Sequence, residues 1–222
     1  IAWGWIVDRI GERISMTIGL ALLTVASGAA ALSTSYVWVG IFLLLGGMGG
    51  ACTNSASGRV VVGWFPPQRR GTAMGIRQTA SPLGVGLAVL IVPNLVDAEG
   101  LRTTLLVIAA MCCFAGLLAG AAIVDPPRAT RSEAEGLGHL VNPYTRDLRL
   151  WRIHGATMLL VIPQVTVWTF ALVWLIDDRG WSILDATLLV GATQLLGAAS
   201  RIAAGAWSDR VGNRLGPMRT VA

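Results

Sequence analysis

The chain has 222 residues, 54% of them hydrophobic and 13% charged, well below the charge fraction of a soluble domain. Its 17 cationic side chains are all arginines, against 12 acids, and they stand at the ends of apolar blocks, which excludes a basic stripe for nucleic acid. The apolar residues come in runs of about twenty or more, so the predicted fold class is all-α, a polytopic membrane helical bundle.

In chain order, residues 1–7 read as the tail of a helix. Full spans follow at about 14–34 and 37–62, separated by a short turn at Ser35-Tyr36. The stretch Gly63-Trp64-Phe65-Pro66-Pro67-Gln68-Arg69-Arg70-Gly71 marks a surface loop, because proline ends one helix and Gly71-Thr72 lets another begin. The next span, about 73–96, closes near Asn94, Asp97 and Glu99, and a fourth covers about 103–124. Residues 125–151 form the long polar linker. The last spans are about 153–176 and 185–206. At about 1.5 Å per residue each is long enough for a hydrocarbon core of about 30 Å. Three domains follow: a half-bundle over 1–124, a linker over 125–151, and the start of a second half-bundle over 152–222. Cys52, Cys112 and Cys113 all fall within spans and show neither metal nor disulfide spacing, so no metal, cofactor or disulfide is expected.

One ten-residue stretch is written twice. Gly4-Trp5-Ile6-Val7-Asp8-Arg9-Ile10-Gly11-Glu12-Arg13 returns as Gly205-Ala206-Trp207-Ser208-Asp209-Arg210-Val211-Gly212-Asn213-Arg214. Both copies fit G-x-x-x-D-R-x-G-x-R and both follow apolar sequence, which implies an internal repeat of roughly two hundred residues. The pattern resembles the loop signature of the major facilitator superfamily, found between its second and third helices and again between its eighth and ninth. The stretch from Trp64 to Gly75 is similar to that family's loop between helices 4 and 5. The resemblance implies a twelve-helix transporter, of which this chain supplies the end of helix 2 through helix 8. With no initiator Met, it reads as the central piece of a longer protein.

Sorting the loops alternately gathers Arg9, Arg13, Arg69, Arg70, Arg128, Arg131, Arg146, Arg149, Arg152, Arg210, Arg214 and Arg219 on one side. Arg102 and Arg179 fall on the other, beside five acids. The positive-inside rule makes the first side cytoplasmic, with both motifs and the linker on it, in a multi-pass plasma (inner) membrane protein. The triplet spacing of Arg146, Arg149 and Arg152 fits either topology anchoring or contact with anionic lipid headgroups.

The resemblance implies a permease moving a small solute by alternating access, with a proton or ion as a candidate co-substrate, lipid as its surroundings and a monomer as the complete form. A transporter-derived sensor or scaffold, or an inactive truncated fragment, is the alternative. An enzyme is not expected, for there is no nucleophile–base pair, metal spacing or phosphate loop. The helix 5 sequence Ser81-Pro82-Leu83-Gly84-Val85-Gly86 is a degraded antiporter signature, and Leu43 stands where drug–proton antiporters carry an arginine on helix 4. Polar groups inside spans are site candidates by default. The candidate cavity residues are Asn54, Arg77, Gln78, Gln164, Trp168, Gln194 and Arg201. For Arg77 and Arg201, snorkelling and anion binding are both open.

Two charge pairings are expected. The family often has a base four residues after the motif Asp, answered by an acid at the end of helix 4. Here Glu12 holds the first position and Arg59 closes helix 4, so Glu12 or Asp8 should pair with Arg59 with the sign reversed. By the family's twofold pseudo-symmetry, Asp209 should lie at the start of helix 5, near Thr72 to Gly75, with Arg70 beside it and Gly205 allowing close approach.

Overall fold

The structure is a computed structural model that describes residues 2–127 and 148–212. Among these residues it is all-helical: α1 (Ala2–Ile10), α2 (Glu12–Leu32), α3 (Tyr36–Trp64), α4 (Arg70–Gln78), α5 (Ala80–Ala122), α6 (Arg149–Asp177) and α7 (Ile183–Val211). Arg128, Arg131, Arg146, Arg214 and Arg219, and most of the expected linker, lie outside the described residues.

Every expected span is present as helix, with boundary shifts that have local causes. Tyr36 opens α3 rather than ending the turn before it. The helix of the third span continues past Asn94, Asp97 and Glu99, and its break falls at Gly100, with φ 79° and ψ 166°. A side chain would be strained there, so the only residue without a Cβ takes the corner. Thr79 keeps α-helical angles, so α4 and α5 run on as one stretch, Arg70–Ala122, whose two spans are divided at Gly100. α6 begins at Arg149, inside the stretch read as linker.

By contact, residues 2–127 together with 195–212 form one unit, and 148–194 form another. In the first unit α2 and α3 pack antiparallel through small residues. A Cβ on Gly19 would stand 2.6 Å from Gly49 O and 2.8 Å from Cys52 Cβ, so the two backbones touch at this crossing. Cys52 is buried there and its thiol donates to Ser15 O at 3.1 Å, in keeping with a small buried hydrophobe. Val7, Cys52 and Ala56 make one apolar cluster, and Ala30, Ala31 and Leu105 make another near the far end of α2. The second half of α5 returns along α2, placing Gly120 beside Thr17 and Gly116 beside Leu20. Its end then meets the end of α3, where Trp64 Nε1 donates to Val124 O at 3.1 Å. Both motif copies, the Pro66-Pro67 turn and Asp125 are thus gathered at one end of this unit.

The outward faces are apolar. On α6, Met158, Leu159 and Leu160 are each about 70% exposed. Runs of this kind suit lipid, and five stretches among the described residues are long and apolar enough to cross a membrane.

Candidate functional site

The first motif copy is a corner between helices. Gly11 takes φ 99°, ending α1 and opening α2. Gly212, its counterpart in the second copy, also has a positive φ, 64°. Both glycines are needed because left-handed angles are strained for residues with a Cβ.

At this corner Arg59, from the last turns of α3, pairs with both carboxylates of the first copy. Its Nε donates to Glu12 Oε1 at 3.2 Å and its Nη1 pairs with Asp8. Glu12 is 1% exposed, whereas Arg59 and Asp8 are about half exposed. The expected charge-reversed pairing is therefore formed, and by both acids. Glu12 also occupies the first position of α2, where a negative charge is favoured by the helix dipole. Arg9 leaves the cluster and lies over the Trp5 ring, 3.8 Å from its centroid. Gly4 has no neighbour within 4 Å of a would-be Cβ.

The second copy reaches another helix. Asp209 Oδ1 accepts from Gly71 N at 2.8 Å, and Oδ2 accepts from Thr72 N at 2.7 Å and Thr72 Oγ1 at 2.9 Å. These amides are the second and third of α4, whose own N-cap residue is Arg69 and makes no side-chain cap. Asp209 thus does from α7 what a capping side chain does within a helix. The contact includes Thr72, the first residue of the expected Thr72 to Gly75, and extends one residue earlier, to Gly71. It requires backbone approach: a Cβ on Gly205 would lie 2.2 Å from Gly71 O, and one on Gly75 would lie 2.5 Å from Arg201 O. Arg70, expected beside Asp209, sends its Nε to Phe65 O at 2.9 Å, back across the Pro66-Pro67 turn. Arg210 is exposed.

Sequence reasoning missed Asp125, which was read only as the first residue of the linker. Its Oδ1 accepts from Arg13 N at 2.7 Å. That amide is the second of α2, whose N-cap residue, Gly11, has no side chain to offer. Two helices that cannot cap themselves are therefore each capped by an aspartate from another helix end. The available signal was weak: an acid directly after an apolar span, followed by the helix-ending pair Pro126-Pro127.

The cavity candidates divide between the two units. Gln164 and Trp168 are half-buried and Gln194 is buried, all within 148–194. Asn54, Arg77, Gln78 and Arg201 belong to the other unit, where Gln78 is exposed. Among these four the structure joins Arg77 to Asn54: Arg77 Nη2 donates to Asn54 O and Asn54 Oδ1, both at 2.6 Å. Arg201 donates from Nη1 to Gly197 O at 2.9 Å, one turn back along its own helix. That turn lies farther from the motif end, so Arg201 does not snorkel toward it. Thr53 and Thr166 spend their hydroxyls on carbonyls of their own helices.

A family profile for the Major Facilitator Superfamily matches residues 1–222. The chain belongs to this superfamily. An uncharacterised MFS-type transporter of Mycobacterium tuberculosis is 49% identical over 221 residues, covering 100% of this chain and 49% of the relative. The hexuronate transporter of Bacillus subtilis is 24% identical, covering 92% of the chain and 50% of that protein. A probable sulfoacetate transporter of Cupriavidus necator is 26% identical, covering 99% and 54%. The chain spans about half the length of the curated relatives it matches.

For this superfamily member the corner at Gly11 yields a direct test. An alanine there would meet Asp125 Oδ2 at 2.4 Å and hold a strained φ. Gly11→Ala should destabilise the complete protein by about 1–3 kcal/mol. Thermal unfolding in detergent checks this against Gly4→Ala, where the would-be Cβ meets nothing and little change is expected.

Proposed function

We propose that the chain is the central part of a solute carrier working by alternating access, and that Asp209 closes its cytoplasmic side by capping α4 from α7. One observation carries this reading: a carboxylate on one helix satisfies two backbone amides and a hydroxyl at the start of another. If α4 and α7 separate, that acceptor is withdrawn, so the contact is stronger in one conformation than in the other, as a gate requires. The arginine-rich side holding both motifs is the cytoplasmic one by the positive-inside rule. The two distant relatives are named for hexuronate and sulfoacetate, both organic anions, which supports a small polar organic solute.

Asp209→Asn tests the gate in the complete transporter, since asparagine keeps the shape and removes the charge. A helix-end charge contributes about 0.3–2 kcal/mol, so the open population should rise about 2- to 30-fold. A single cysteine at Ala73, beside the capped turn, with native cysteines replaced by alanine, should react correspondingly faster with an impermeant maleimide from the cytoplasmic side. Unchanged labelling would leave Asp209 as a structural cap and remove the gate.

A further inference from the structure

Arg77 carries a full charge into an apolar span, and its partners differ from the carboxylates that meet Arg59. It stands seven residues beyond Arg70, about 10 Å along the helix. Its Nε donates to Ser57 Oγ at 2.8 Å, its Nη2 to both oxygens of Asn54 at 2.6 Å, and its Nη1 meets Met74 Sδ at 3.6 Å. All these partners are neutral. The ion pairs found among the described residues belong to Arg59, so α3 supplies Arg77 with dipoles and no counter-charge.

The direction of the side chain matters as well. α3 runs toward the motif end, so Asn54 lies about one turn farther from that end than Ser57. The guanidinium spans the Asn54–Gly58 turn of α3, and its Nη1 meets Met74, one turn nearer the motif end than Arg77 itself. Three hydrogen bonds donated to α3 fix the guanidinium within the span, where a charge without partners is costly.

Donors outnumber acceptors at this spot. The side edge of the guanidinium, Nε and Nη2, is consumed by α3, while Nη1 has only a thioether, a weak acceptor. Because Asn54 turns its Oδ1 to Arg77, its Nδ2 is left as a donor beside the same charge. Asn54 is exposed and Arg77 half-buried, so both can be reached. Among the described residues this cation has no carboxylate partner, and two kinds of N–H donor beside it match an oxyanion.

Resting on the transport reading above, we infer that Arg77 and Asn54 seat the carboxylate or a similar oxyanion of the transported solute. A phosphate of an anionic lipid has the same chemistry, and the experiment separates the two sources. The complete purified transporter is heated with sodium galacturonate, sodium succinate or sodium sulfoacetate, with sodium chloride at matched ionic strength, and with neutral galactose. At least one organic anion should raise the unfolding temperature saturably where chloride and galactose do not. Arg77→Gln should weaken that protection at least ten-fold, and Arg77→Lys should fall between. Asn54→Asp, which places a carboxylate beside Arg77 from within, should abolish it.

The proposal is overturned if Arg77→Gln keeps the wild-type concentration dependence, or if none of the three anions protects the wild type. It is also overturned if only phosphatidylglycerol in mixed micelles protects in an Arg77-dependent way, which would assign the seat to lipid. Uptake into proteoliposomes separates this inference from the transport reading. Uptake of a protecting anion left unchanged by Arg77→Gln would keep the carrier and remove the anion seat. Arg77-dependent anion protection without uptake of any probe would keep the seat and remove the carrier.

Discussion

Valine at Gly205 is expected to open the α4–α7 contact more completely than removal of the Asp209 charge does. A Cβ at Gly205 would fall 2.2 Å from Gly71 O and 2.8 Å from Gly71 C, both backbone atoms that cannot rotate away. The reciprocal position is as tight, for a Cβ on Gly71 would lie 2.6 Å from Gly205 O. The helices must separate by an ångström or more, and the Asp209 bonds of 2.7–2.9 Å cannot span that gap. Overpacking of this kind typically costs about 1–3 kcal/mol, added here to the lost cap. Gly205→Val should therefore exceed Asp209→Asn in maleimide labelling at position 73 and reduce solute uptake at least ten-fold. Labelling at the wild-type rate would mean that the close approach is not what holds this end shut.

Loss of Arg59 should destabilise the complete protein by leaving the buried Glu12 carboxylate without its cation. Glu12 is 1% exposed, and the Arg59 guanidinium that meets it is also bound to Asp8. Breaking a buried ion pair from one side typically costs about 3–5 kcal/mol. Because Arg59 and Asp8 are half exposed, water takes up part of that loss, and about 1–3 kcal/mol is expected for Arg59→Met. Glu12→Gln combined with Arg59→Met should recover much of the stability, since the buried charge is then gone as well. Thermal unfolding of the two single variants and the double variant gives the coupling. Strictly additive losses would show that the two groups do not act on one another.

Much of this was legible because membrane helices announce themselves. Apolar run length placed every span, and the twin Asp-Arg loops pointed Asp209 toward the start of α4 before any geometry was known. The Glu12–Arg59 pairing was legible because the family resemblance links the two positions and the sequence shows their signs reversed. Asp125 was not: its role depends on α5 ending beside the start of α2, which no local pattern states. Asn54 was selected for its depth in a span and Arg77 as a charge one to two turns inside the cytoplasmic face, but their union is a matter of cross-helix register. Arg70 shows the same limit, since its Nε turns to the nearby Phe65 carbonyl. The corner at Gly100 is a conformational choice of one residue, concealed among polar neighbours that looked equally able to end a helix.

The cap that Asp209 places on α4 also has mechanical character. Its bonds act over less than an ångström, and the two backbones beneath them are already in contact at Gly71 and Gly205. Such a joint is stiff and brittle: it resists small displacements almost fully and then fails all at once. A long, loose ionic tether would instead yield like a spring and tolerate intermediate separations. On the gate proposed above, two helices fastened this way would be either seated or apart, and a carrier built on the joint would avoid the half-open states through which solutes and ions leak.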